Sequence, residues 1–457
     1  MVLASRFLST AYTHSALVSS ARAAQQSLGH ITAGARGPRD FPAAPARVTP
    51  GVPENSYVVY LLQRLIAVPT VNPPGEHYAE MAGLLREELE ALGLETRVVR
   101  VPDEVVEKHY PWARGYPRFI VLARLGEGRP VLHLNGHYDV VPPGQGWARD
   151  PFNPVVENGR VYGRGATDMK GGIAAVIAAI RGLVEEGWRP RRGSIELSFT
   201  PDEETGGETG VKYMLDEGLT LPDYALVAEP STTSRIWIGS RGAVWMNVHV
   251  YGRQAHGSTP WLGLNAFEAM VEIAYRLIHG YKPRLAERRT DLPMDDPRAA
   301  HPTITIGGEI EGGAKTNVVP GYYRFSIDRR LIPGEDPDEV ERELRDFIME
   351  SAAPLLEKGY RVEVETTGKA PATWIPPDNP FVETVAEAVR EALGLEPLRT
   401  ICTGGLDTRY FQQRGIPAVT YGPGAPGAAH KPDEYVPLEE LENAVKVYRA
   451  LIRRILG

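Results

Sequence analysis

Residues 165–186, Gly-Ala-Thr-Asp-Met-Lys-Gly-Gly-Ile-Ala-Ala-Val-Ile-Ala-Ala-Ile-Arg-Gly-Leu-Val-Glu-Glu, decide the fold. From Gly171 to Glu186 the run is apolar almost all round a 3.6-residue helix, so this helix is expected to be buried. A glycine-bounded turn carrying Asp168 leads into it. An unpaired carboxylate there is expensive to desolvate and wants a cation, although Asp is also a common helix N-cap.

Working outward, strand-like runs lie at 95–101, 118–125 and 130–135 before this helix, and at 194–200 and 224–227 after it. Helical spacing marks 57–65, 78–92 (with Gly93 as a C-cap) and 211–217, and prolines mark a turn at 69–74. Strands alternating with helices imply an α/β layer with a largely parallel sheet. The texture changes near Ile236. A long alternating strand at 242–251, an amphipathic helix at 263–279, strands at 303–308 and 321–329, a helix at 337–358 and a strand at 360–366 follow. That β-α-β-β-α-β order is the ferredoxin-like pattern. After Thr367 the α/β texture returns, with a helix at 380–393, a strand at 418–421 and a terminal helix from Leu438. The expected organisation is a discontinuous domain, 56–236 and 367–457, interrupted by an inserted domain at 237–366.

The 457 residues are 42% hydrophobic and 24% charged, as in a globular enzyme, and too many for one ordinary core. A net charge of −8 argues against nucleic-acid binding. No apolar run reaches the length of a membrane span. The single cysteine, Cys402, excludes an intramolecular disulfide or a cysteine-built zinc site and fits a reducing, cytoplasmic setting. The 39 prolines and the Glu/Arg-rich helices hint at heat adaptation. Residues 1–55 stand apart: up to Arg39 there are four arginines and no acid, then a proline-rich stretch. This reads as a disordered extension, an upstream stretch from a wrong start, or a transit peptide.

Five segments place acids and histidines at strand ends, where open α/β sheets hold ligands. They are 136–139 (Gly-His-Tyr-Asp), 165–172 (Gly-Ala-Thr-Asp-Met-Lys-Gly-Gly), 202–206 (Asp-Glu-Glu-Thr-Gly), 228–231 (Ala-Glu-Pro-Ser) and 429–434 (Ala-His-Lys-Pro-Asp-Glu). His137 and Asp139 share a face of an extended stretch, so the carboxylate can fix the ring and raise its basicity. A lone strand-end histidine is more often a satisfied core residue, and His133 is left to that reading. Glu203 and Glu204 are adjacent acids that a nearby cation would let divide between ligand and base. Glu229 would be a strange end to a buried strand unless paired, and His430 alone says little. Two histidines with several carboxylates suit zinc first, then cobalt or manganese. There is no Gly-x-Ser-x-Gly elbow, and 312–316 lacks the spacing of a phosphate loop.

With these residues in hand, the chain resembles the dizinc deacylases and peptidases that include succinyl-diaminopimelate desuccinylase, acetylornithine deacetylase, aminoacylase and carboxypeptidase G. The likeness covers 56–457 and rests on the blocks Gly-His-Tyr-Asp-Val-Val-Pro, Gly-Arg-Gly-Ala-Thr-Asp-Met-Lys-Gly-Gly and Asp-Glu-Glu-Thr-Gly. It implies that Asp168 bridges two metal ions, with His137 and Glu229 completing one site and Glu204 and His430 the other. It further implies that Asp139 supports His137 and that Glu203 is the general base for a metal-bridged hydroxide. The insertion would be a lid and dimerisation domain whose His256 reaches the neighbouring subunit's site of a homodimer. Asn317 and Arg329 resemble substrate-carboxylate contacts, and Arg329 reads equally well as an exposed strand-end charge paired with Asp328 or a neighbour. The segment 430–435 resembles the acetylornithine deacetylase version. Residues 404–411, with Gly405 in a glycine-rich turn, look more like the desuccinylase version. There Arg409 is either a partner for a succinyl carboxylate or a solvated helix charge. The implied substrate is an N-acyl amino acid, with desuccinylase chemistry preferred. A dipeptidase or carboxypeptidase on the same scaffold is the alternative, and a silent binding protein is a third that the intact ligand set opposes.

Overall fold

A computed structural model of the chain describes residues 54–457, so the expectations for residues 1–53 lie outside the described residues. Two sheets organise it. The larger has nine strands, in the spatial order Glu95–Arg100, Phe119–Gly126, Ser194–Thr200, Val131–His137, Tyr224–Val227, Ala418–Thr420, Arg235–Ser240 and Thr373–Trp374, with Leu398–Cys402 also paired to Arg235–Ser240. Its middle is parallel: Val131–His137 lies between Ser194–Thr200 and Tyr224–Val227, and Ala418–Thr420 continues beyond Tyr224–Val227 in the same direction. Antiparallel strands close both edges. Four neighbouring parallel strands therefore end at one rim, where such sheets bind ligands.

The decisive helix runs Gly171–Glu185 with residues 171–180 all buried, and it packs against helices Glu54–Ala67 and Leu438–Leu456. Gly172 lets it approach the sheet: a Cβ there would stand 1.9 Å from the carbonyl oxygen of Ala228. No other residue type fits that contact. The close approach sets the Asp168 turn beside Glu229.

The smaller sheet has four antiparallel strands in the order Thr303–Gly312, Tyr322–Leu331, Gly242–Tyr251 and Arg361–Ala370. With helices Ala266–Arg276 and Pro337–Glu357 this is the ferredoxin-like arrangement, and one core unites Val244, Met246, Val248 and Phe325 with Ile273, Leu344 and Ile348. The chain crosses between sheets after Ser240 and returns between Ala370 and Thr373, later than the change of texture near Ile236. Strands Arg235–Ser240 and Leu398–Cys402 and the short helix Asp103–His109 were not anticipated. Among the described residues no helix is long and apolar enough to cross a membrane.

Candidate metal centre

The rim of the parallel strands gathers the acids and histidines. His137 ends its own strand, Glu203 and Glu204 follow Ser194–Thr200, Glu229 follows Tyr224–Val227, and His430 stands in the loop beyond Ala418–Thr420. The turn before the buried helix carries Asp168 into their midst, and its two oxygens face opposite ways. Oδ1 lies 3.2 Å from His137 Nε2, which is also 3.4 Å from Glu229 Oε1. Oδ2 lies 3.2 Å from His430 Nε2, which is also 3.1 Å from Glu204 Oε2. Two ligands held at about 2.0–2.1 Å on a tetrahedral ion sit about 3.3 Å apart, so these four histidine–carboxylate separations match edges of zinc-like sites. Glu203 offers an oxygen within 4.8 Å of the ligand atoms of His137 and Glu229.

Supporting contacts fix each part. Nδ1 of His137 lies 3.1 Å from the backbone oxygen of Asp139 and 3.3 Å from its carboxylate, so the ring presents Nε2 inward. The Asp139 carboxylate also accepts the backbone N–H groups of Glu203 at 3.2 Å and Glu204 at 3.1 Å. One carboxylate thus aligns the histidine and clamps the acidic turn. Asp202, at positive φ (66°), buries its side chain under that turn, where Arg118 Nε donates at 2.7 Å and Tyr78 OH at 2.9 Å. The Asp168 turn is held by Glu434: its Oε1 accepts the N–H groups of Thr167 at 2.9 Å and Asp168 at 3.0 Å, and its Oε2 pairs with buried Arg164 at 2.5 Å. Lys170 is sequestered below, donating to the backbone oxygens of Leu65 and Val68, and burial lowers its pKa to about 7.

Charge in this cluster is unbalanced toward the negative. Burial and the neighbouring Glu229 push Glu203 well above the usual carboxylate range, and burial with Asp168 beside it lifts Glu204 to about 7. Burial disfavours the charged form of His137, but Glu229, Asp139 and Asp168 overcome it and raise its pKa well above the ordinary value. Hydrogen bonds that His430 donates to Asp168 and Glu204 raise its pKa to about 11. The raised proton affinity of both imidazoles is the response to that surplus of carboxylates. Two dications suit the same donor set. Asp407, buried with neither carboxylate oxygen partnered, adds to the negative field and is itself raised to about 7, chiefly by burial.

The remaining residues singled out from sequence fall elsewhere. His256 and Asn317 meet across a short antiparallel pair, Ala255–His256 against Val318–Val319, with Gly257 N donating to Asn317 O at 2.8 Å. His256 is exposed, and no hydrogen bond or ion pair joins it to its own chain's cluster. Arg329 is not an exposed charge: it is fully buried and paired with Glu335 at 2.6 Å. Arg330, one position on and therefore on the opposite sheet face, is the residue paired with Asp328, at 2.8 Å, and it lies over the Trp245 ring. Gly405 is exposed beside Arg409, which donates to Gly206 O at 2.5 Å and Tyr410 OH at 3.1 Å rather than to solvent alone. His133 is a core residue, its Nε2 2.7 Å from Ser198 Oγ. Asn72, Arg118, Asp202 and Glu434 are supports that sequence reasoning did not single out. Asp202 and Glu434 lay within the acid-rich segments 202–206 and 429–434, but neither was given a role of its own.

A parallel-sheet rim with two histidines on opposite oxygens of one buried aspartate, flanked by further carboxylates, is a donor set that could hold divalent metal. The chain belongs to Peptidase family M20/M25/M40, whose sequence profile matches residues 133–454, and so is a metallohydrolase acting on amide bonds. It is 32% identical over 406 residues to a succinyl-diaminopimelate desuccinylase of Gluconobacter oxydans, covering 86% of this chain and 96% of that one. Its fold is similar to that of human carnosine dipeptidase 1, with TM-score 0.72 and 19% identity over 88% of this chain and 96% of the other. It is also similar to a dinuclear metal-binding M20 peptidase from Bacillus subtilis, with TM-score 0.62, 17% identity and 88% and 98% coverage.

Proposed function

We propose that the protein removes the acyl group from an N-acyl amino acid, of the succinyl-diaminopimelate desuccinylase or acetylornithine deacetylase type, with two divalent ions bridged by Asp168. The observation that carries this reading is the opposed placement of the two Asp168 oxygens, each 3.2 Å from a different histidine. His137 and Glu229 would hold one ion, and His430 and Glu204 the other, with zinc preferred and cobalt or manganese possible alternatives. When bound, the pair supplies Lewis acidity for water activation and carbonyl polarisation. Glu203 takes the proton of the attacking water and returns it to the departing amine. Asp139 is a positioning residue, acting through His137 and the turn that carries Glu203.

His256 serves the site of a second subunit in a homodimer. Ser258 N–H donates to its Nδ1 at 3.1 Å, which fixes the proton on Nε2 and leaves an outward donor suited to an oxyanion. A second copy would also cover the exposed apolar stripe of Phe267, Val271, Tyr275 and Ile278 on the insertion's first helix and its continuation. Asn317, beside His256, is a substrate contact in the same assembly. Arg329, buried against Glu335, drops out as a substrate contact, and Gly405 would line the acyl end. A cytoplasmic setting accords with the single, buried Cys402.

The desuccinylase preference rests on the 32% identity to a named desuccinylase, and the second reading, a dipeptidase or carboxypeptidase, on the shared fold. A panel of succinyl-, acetyl- and peptidyl-amino acids with zinc, cobalt and manganese tests it. Turnover of succinyl substrates above the others is expected. Dipeptide cleavage alone would give the second reading, and no amide hydrolysis with any metal would refute both.

A further inference from the structure

The segment Thr70-Val71-Asn72 runs beside Tyr138-Asp139-Val140 in fixed register. Asn72 N donates to Val140 O at 2.9 Å, Val140 N to Thr70 O at 3.0 Å, and Thr70 Oγ1 to Tyr138 O at 2.5 Å. This lock brings the fully buried Asn72 side chain to the base of the acidic turn. Its Nδ2 lies 2.9 Å from Asp139 Oδ2, 3.1 Å from Asp202 Oδ1 and 3.1 Å from Thr205 Oγ1. A single amide therefore stands between two buried carboxylates. Asp202 has Arg118 as a hydrogen-bonded counter-charge, whereas the groups that donate to the Asp139 carboxylate are neutral amides beside the His137 ring. The Asp139 carboxylate accepts hydrogen bonds from Glu203 N, Glu204 N and Asn72 Nδ2 and lies 3.3 Å from the His137 ring. Three of those belong to the site that Asp139 organises. Asn72 is the only one anchored outside it.

We infer that Asn72 is a positioning residue: it holds the Asp139 carboxylate in the one orientation that aligns His137 and clamps the Glu203–Glu204 turn together. This rests on the roles proposed for His137, Glu203 and Glu204. Without the Nδ2 donor the carboxylate can rotate to satisfy either the histidine or the turn, and the buried Asp202 repels it. Outer-shell supports of this kind are worth about 10–100-fold in metal affinity or activity.

The test uses full-length Asn72→Ala and Asn72→Ser, metal-stripped and titrated with cobalt(II) against a competing chelator, with the visible spectrum recorded. Thermal unfolding of the metal-free protein checks folding, and kcat and KM are then measured at saturating metal. The expected result is a folded variant whose cobalt affinity or kcat falls about 10–100-fold with KM little changed and with an altered cobalt band, Ser being milder than Ala. Folded variants with wild-type affinity, band and kcat would overturn the inference. Failure of both variants to fold would also overturn it, since Asn72 would then serve the fold. The cobalt titration needs no substrate. Wild-type protein that binds no cobalt pair would sink the functional reading and this one together, whereas a normal wild type with unaffected variants sinks this one alone.

Discussion

Replacing Glu434 by Gln separates the two jobs of one buried carboxylate. Glu434 Oε1 accepts two backbone N–H groups from the Asp168 turn, and Oε2 accepts the Arg164 guanidinium, with both side chains at most 1% exposed. A glutamine has one oxygen for these two sets of donors. If it faces the turn, its NH₂ meets Arg164; if it turns to Arg164, the N–H groups of Thr167 and Asp168 face another donor. Arg164 would keep only Pro143 O at 3.3 Å and the Trp147 ring as weak partners. Removing one partner of a buried pair costs about 3–5 kcal/mol, and the retained shape and carbonyl put this variant near about 3 kcal/mol. Because the turn carries the residue shared by both triads, both metal affinities should fall together. Denaturant unfolding of metal-free protein measures the first effect, and chelator competition measures the second. A stability loss below about 1 kcal/mol, the range of an exposed pair, would refute the reasoning. So would weakening of one metal alone.

Other predictions concern the site itself. Glu203→Gln should lower kcat by about 10²–10⁴-fold with metal content retained, whereas His137→Ala should lower metal occupancy; loss of both ions from the glutamine variant would mean Glu203 is a ligand. Metal binding at pH 7 should release protons, because His137, His430 and Glu204 all hold protons more tightly than usual in the metal-free cluster, so affinity should rise with pH; a pH-indicator titration reads this, and zero release would contradict the charge reading. His430 has its pKa raised from 6.5 to about 11, so its contribution to metal-free stability is full below pH 6.5 and disappears as pH climbs toward 11. Unfolding midpoints across that window should show the loss without metal and not with it. Mixing Glu203→Gln with His256→Ala under verified subunit exchange should restore about a quarter of wild-type activity, because half the dimers are mixed and each has one intact site. No recovery would place His256 outside the partner's site.

Much of the architecture was legible because periodicity and burial coincide. The Gly171–Glu185 helix is apolar all round, and its turn could only be the mouth of a buried layer. The insertion was readable from its β-α-β-β-α-β order. Arg235–Ser240 was not, because its strand partners, Leu398–Cys402, Ala418–Thr420 and Thr373–Trp374, all lie more than a hundred residues further along the chain. Arg329 and Arg330 are chemically identical, so the sequence could not say which points to the core; a one-residue shift in strand phase exchanges them. The clustered acids and histidines stood out in the sequence by residue type and by their place at strand ends. Asn72, Arg118 and Glu434 did not, since an amide, an arginine and a glutamate acquire their roles only from partners far along the chain.

Anomalous diffraction from zinc-loaded crystals tests the central claim most directly. The account predicts two peaks flanking Asp168, one bounded by His137 and Glu229 and the other by His430 and Glu204. A single peak, or two peaks with Asp168 bound to only one of them, would contradict it.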